Sequence, residues 1–150
     1  MEVGSFDPVN PSMRVVNIYV AGTNISEFDN TVYIPQFVTS IRRASEALKQ
    51  KIDYAKYDAV FFDHSIEEAY RLLAQDEGEL FSACRVLDFG ATTDGSLSFL
   101  IPRRNRLYLA SQVSPGDEAE QMSPLITEIT AYEMIRVMEL TAEALGSSSS

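Results

Sequence analysis

The chain has 150 residues, 45% of them apolar and 23% charged, and its 22 acidic and 12 basic side chains give a formal net charge of −10. A chain of this size fits one domain that buries roughly 68–70% of its unfolded surface without a disulfide or metal staple, and this composition excludes disorder throughout. One cysteine excludes an intramolecular disulfide, one histidine excludes the ordinary structural zinc sets, and the acidic balance argues against a free-standing nucleic-acid binder.

Residues 1–12 hold two prolines and little periodicity, which reads as a loose N-terminal arm. From Arg14 to Ala21 the pattern alternates, with Val16, Ile18 and Val20 on one face, and predicts a half-buried strand. Gly22-Thr23-Asn24 turns the chain into a second short strand over Thr31–Ile34. From Gln36 the period lengthens, and Phe37, Ile41, Ala44 and Leu48 share one helical face. Tyr57–Phe62 is a compact apolar run, short enough for a buried strand. Ser65-Ile66-Glu67-Glu68 is a capping box that opens a helix with Ile66, Ala69, Tyr70 and Leu73 inward, ending near Gln75.

Asp76-Glu77-Gly78-Glu79 reads as an acidic turn. Strands follow at Cys84–Phe89, Leu97–Ile101 and Arg106–Ser111, the last two joined as a hairpin through Pro102-Arg103-Arg104-Asn105. Gln112–Pro124 is a polar loop, and Ile126–Ile129 is a candidate edge strand. Thr130-Ala131-Tyr132-Glu133 is a second capping box. It opens a helix with Met134, Ile135, Met138, Ala142 and Leu145 inward and Gly146 as its stop. Consecutive strands with short links predict an α+β fold, a mostly antiparallel sheet with two or three helices packed on one face. The domain spans 13–146, and 147–150 is a flexible Ser-rich tail.

Candidate chemistry is sparse. His64 stands beside Asp63 and Ser65, yet sequence neighbours at a helix start diverge in direction, so the serine serves better as a cap than as a triad member. Cys84 reads as a small core residue. Asp88 and Asp94 flank a Thr-Thr turn without the spacing of a calcium loop, and Asp94-Gly95 is an ordinary turn pair. Phosphate-binding loops are absent, and Arg103, Arg104 and Arg106 form the one basic cluster, at a hairpin tip. The N-terminus has no secretion signal and no apolar run reaches the roughly 18 residues of a membrane span, so the expected setting is the cytoplasm, with no cofactor, no metal and no membrane contact.

The stretch Arg85-Val86-Leu87-Asp88-Phe89-Gly90-x-Thr92-Thr93-Asp94 resembles immunity proteins of bacterial polymorphic-toxin systems, some of which carry a similar strand, an aromatic-Gly-x-Thr-x-Asp turn and a further apolar strand. The resemblance extends to Ser65-x-Glu67-Glu68-Ala69-Tyr70, to Arg106-Leu107-Tyr108-Leu109 and to the strand-to-helix unit from Ile126 to Leu145. Tryptophan, frequent near the turn in the related pattern, is absent, and Phe89 takes that place. The resemblance implies a non-enzymatic protein that binds a cognate toxin domain and masks its basic or active-site surface, without contacting nucleic acid itself. The residues expected to meet the partner are Asp76, Glu77 and Glu79, the loop acids Asp117, Glu118 and Glu120, and Asp88, Thr92, Thr93 and Asp94 of the turn. Two alternatives stand beside this one. The first is an acidic adaptor or anti-defence protein with another protein partner. The second is a small enzyme using Asp88, Asp94 and the arginine hairpin on a phosphorylated metabolite. The exposed hairpin and edge strand leave room for a homodimer without requiring one.

Overall fold

The computed structural model of the chain describes residues 1–27, 29–50, 54–76, 78–93, 95–113 and 123–147. Val16, Ile18 and Val20 are all at most 1% exposed, so the alternating stretch faces the core as its pattern requires. It is divided into β2 (Met13–Asn17) and β3 (Tyr19–Val20). Strand β2 is the centre of a three-stranded antiparallel sheet between β1 (Glu2–Phe6) and β5 (Thr31–Tyr33). Residues 2–6 are thus a paired strand, not part of a loose arm. Their weak alternation hides a pairing made by backbone, and Gly4 permits it: a Cβ there would lie 3.0 Å from Val15 Cγ1. Arg14 fastens the strand, donating from Nε to Gly4 O at 2.8 Å and lying over the Phe6 ring at 4.4 Å. Strand β3 turns into β4 (Thr23–Asn24) over Ala21 and Gly22, at φ 49° and 83°, the backbone of a type I′ hairpin.

Helix α1 (Ile34–Lys49) buries Ile34, Phe37, Ile41 and Ser45. Helix α2 (Tyr54–Phe61) replaces the expected strand over 57–62. A six-residue apolar run fits either element, and burial decides: half-buried Tyr57 and Asp58 and fully buried Phe61 recur at a spacing of three to four residues, with Ala59 and Val60 exposed between them. Helix α3 (Ile66–Gln75) starts as predicted, with Ser65 Oγ accepting from Glu68 N at 3.2 Å and Ala69, Tyr70 and Leu73 buried. Helix α4 (Glu79–Cys84) takes up the start of the expected 84–89 strand, leaving β6 at only Arg85–Val86. Leu87, at φ 55°, ends β6, and residues Gly90–Thr93 close a short 3₁₀ turn.

Strands β7 (Ser96–Arg103) and β8 (Arg106–Val113) form the predicted hairpin with a tighter turn, Arg104-Asn105, both at positive φ. With β6 and the edge strand β9 (Leu125–Glu128) they make an antiparallel sheet in the order β6-β7-β8-β9. Helix α5 (Ala131–Ser147) is opened by Thr130 Oγ1, which accepts from Glu133 N at 3.0 Å; Met134, Met138, Ala142 and Leu145 are buried. It runs through Gly146 to Ser147, because a glycine in the last turn weakens a helix without ending it.

The fold is α+β. Alternation along β7 divides the core in two. Leu100 faces Leu107 and Leu109 of β8, with Phe37 and Ile41 of α1 and Met134 and Met138 of α5 in the same cluster. Phe99 and Ile101 face the other way, into a cluster with Phe61, Ala69, Tyr70, Leu73 and Cys84 from α2, α3 and α4. Helices α1 and α5 are thus the pair expected on one face, and the short helices add a second layer opposite. Among the described residues no helix is long and apolar enough to cross a membrane.

Candidate functional site

Three of the expected contact residues lie along the segment from the end of α3 to the turn after β6. Asp76 caps α3: its N–H donates to Leu73 O at 3.1 Å and its Oδ1 accepts from Gly78 N at 2.9 Å. Glu79 opens α4 with its side chain 84% exposed, and Lys56 Nζ approaches it at 3.5 Å. Asp88 is 58% exposed, with Arg85 at 3.7 Å. Both pairs are longer than the roughly 2.7–2.9 Å of a charge-assisted hydrogen bond. Exposed pairs of this kind contribute about 0–1 kcal/mol, so these carboxylates are only lightly engaged.

Thr92 and Thr93 are buried, at 6% and 2% exposure. Thr93 Oγ1 accepts from Phe89 N at 2.8 Å and donates to Gly90 O at 3.2 Å, while Ser96 Oγ donates to Thr93 O at 3.1 Å. Both lie inside the turn, and Thr93 holds its backbone. Glu77, Asp94, Asp117, Glu118 and Glu120 lie outside the described residues.

The same segment forms one wall of a cleft of about 230 Å³. Ala44 and Leu48 of α1, Leu100 and Pro102 of β7, and Met134 and Met138 of α5 supply the others. Leu87 and Phe89 point into it, and Phe89 is steadied by an edge-on contact with Phe37, ring centres 5.5 Å apart. The sequence marks Met134 and Met138 as a core stripe, which they are; that the core beside them is incompletely filled depends on the placement of α1 and is not written in their spacing.

The other reactive groups are tied down. His64 Nδ1 lies 3.3 Å from Glu68 Oε2 at the start of α3, so the glutamate of the capping box reaches the histidine. Burial pushes the Cys84 thiol up to about 11, which keeps it protonated and unreactive near neutral pH. At the hairpin tip Arg104 lies over Phe62 at 4.9 Å, Asn105 N donates to Asp58 Oδ1 at 3.3 Å, and Arg106 lies 3.5 Å from Glu128. Among the described residues no three His, Cys, Asp or Glu side chains gather in a way that would hold a metal ion. The chain matches no protein-family model, no curated protein and no solved structure.

Proposed function

We propose that the protein is a non-enzymatic inhibitor that binds a cognate bacterial toxin domain and masks its basic or active-site surface. The observation that carries this reading is the pair of exposed, lightly engaged carboxylates Glu79 and Asp88, on the segment that begins at the helix cap Asp76, whose Oδ1 accepts from Gly78 N. A partner's lysines and arginines can displace Lys56 and Arg85 from Glu79 and Asp88 at small cost, because exposed pairs hold weakly. The net charge of −10 steers a basic partner toward the protein before contact. Resemblance of the 85–94 stretch to immunity proteins gives the partner its class, and cytoplasmic action accompanies that class.

The test is co-expression with the toxic domain encoded beside this gene, scored by survival and co-purification. The reading expects rescue and a stable complex whose association slows as salt is raised. It also expects slower association at low salt for the Asp76→Asn, Glu79→Gln, Asp88→Asn triple variant. No rescue and no complex, with both proteins folded, overturns it.

A further inference from the structure

We propose that the cleft between α1, the α4–β6 segment, β7 and α5 is a binding site for a small aromatic amine: one ring on a short chain ending in a cationic group. This site does not depend on the partner-binding reading and can stand or fall alone.

Its size sets the first limit. The cleft holds about 230 Å³ and is bordered by the buried core residues Leu87, Leu100 and Met138. It exceeds the roughly 150 Å³ cavity that accepts benzene and falls below the roughly 300 Å³ at which drug-sized pockets begin. One ring with a two-carbon arm fits that range. The lining sets the second limit: Leu48, Val86, Leu87, Phe89, Met134 and Met138 offer apolar carbon, and two thioethers favour the edge of an aromatic ring.

Backbone conformation marks the same wall. Leu87 is buried at φ 55°, a region that a bulky residue rarely occupies. Such outliers persist where the surroundings enforce them, and they gather at ligand clamps. Leu87 lines the cleft as a buried core residue, and its neighbour Asp88 lines it with an exposed side chain.

The rim sets the charge. Among the described residues Asp88 and Arg85 are the charged groups that line it. Arg85 lies 5.6 Å from the centre of the Phe81 ring, and Asp88 is more exposed than Arg85, 58% against 35%. Asp88 is paired with Arg85 at 3.7 Å, a long, exposed contact that an ammonium can displace at small cost. An arylcarboxylate would have to pair with Arg85 against the field of a protein carrying −10.

The experiment uses the full chain labelled with methyl-¹³C methionine, titrated with 2-phenylethylamine and, separately, with phenylacetate at matched ionic strength. The expected result is saturable shifts of the Met134 and Met138 methyls with the amine, while Met13 on β2 stays still. Phenylacetate should bind about three- to tenfold more weakly, the range that one exposed charge pair supplies. Ala44→Leu, which fills the cleft, should abolish the shifts. Asp88→Asn changes only a rim side chain, and it should keep the ring contact but lose the preference for the amine. Absence of saturable shifts at Met134 and Met138 would overturn the site, as would shifts that survive Ala44→Leu in a folded variant. Equal or tighter binding of phenylacetate would overturn the cationic assignment.

Discussion

On one side of β7, Phe99 stands between Tyr70 and Phe81, each ring centre 5.4 Å away and each contact edge-on. On the other side, Leu100 and Pro102 border a cleft of about 230 Å³. Both sides belong to one strand and both are covered by helices. The difference lies in what the helices bring. Helices α3 and α4 contribute two aromatic rings, which fill the space beside the sheet. At the cleft, α1 contributes Ala44, and its methyl leaves room that a longer side chain would take. One face of β7 is therefore filled by aromatic rings, and the other borders open space.

The packed side should be the more fragile. Phe99→Ala removes the ring that joins α3 and α4 to the sheet, and it should cost about 3–5 kcal/mol in denaturant unfolding. A loss under about 1 kcal/mol would mean the three rings do not act as a unit. The cleft side has its own sensitive point, the buried hydrogen bond between Ser98 and Ser111 hydroxyls at 2.6 Å. Ser111→Ala leaves Ser98 without that partner and should cost about 1–3 kcal/mol, while removing both hydroxyls should recover part of the loss. A fully additive double variant would show that the pair is not coupled.

The smallest effect lies where α1 meets α5. Lys49 Nζ lies 2.6 Å from Glu139 and 3.1 Å from Glu46. The hydrogen bond from Lys49 holds the Glu139 carboxyl below its usual 4.5, and the Glu139 and Glu46 carboxylates hold Lys49 above its usual 10.5. A carboxyl lowered by folding stabilises the protein above its unfolded value and loses that contribution as pH falls through its folded value. A raised lysine stabilises below its unfolded value and loses that contribution as pH rises through its folded value. The pair therefore stabilises between about 4.5 and 10.5. Glu139→Gln should flatten the acid limb of stability against pH slightly, read as the unfolding midpoint across a pH series. An acid limb unchanged from the parent would remove the pair from the account.

Much of this frame is legible in the sequence because local rules and tertiary demands agree. Ser65 and Thr130 are helix caps in pattern and in geometry, and the alternation of Val16, Ile18 and Val20 matches their burial. Where local rules are silent, reading fails. The apolar run at 57–62 suits strand and helix alike, and docking beside β7 chooses helix. Strand β1 has little pattern because its hold on β2 is backbone pairing over Gly4. Residues 84–89 look like a strand, but helix α4 takes Cys84 and the turn at Leu87 ends β6 at Val86, with no glycine to announce the positive φ.

The exposure of Glu79 and Asp88 was legible in the sequence, and the shape of the cleft beside them was not. Asp76, Glu79 and Asp88 stand out as acids, whereas Thr92 and Thr93 share a motif with Asp88 and are buried. The cleft itself arises from small differences in side-chain volume between elements far apart in the chain. An alanine on a helix face reads as core until its surroundings are known.

The comparison is tested most directly by making one substitution on both sides: Ala44→Leu at the cleft and Ala69→Leu in the packed face, each followed by denaturant unfolding. Ala69 is fully buried among Phe61, Tyr70, Leu73 and Phe99, so the added carbons should cost about 1–3 kcal/mol by overpacking. Ala44 borders open space, so the same change should be neutral or stabilise by about 0.5–2 kcal/mol. Equal destabilisation at the two positions would show that the cleft is as full as the opposite face, and the account would fail.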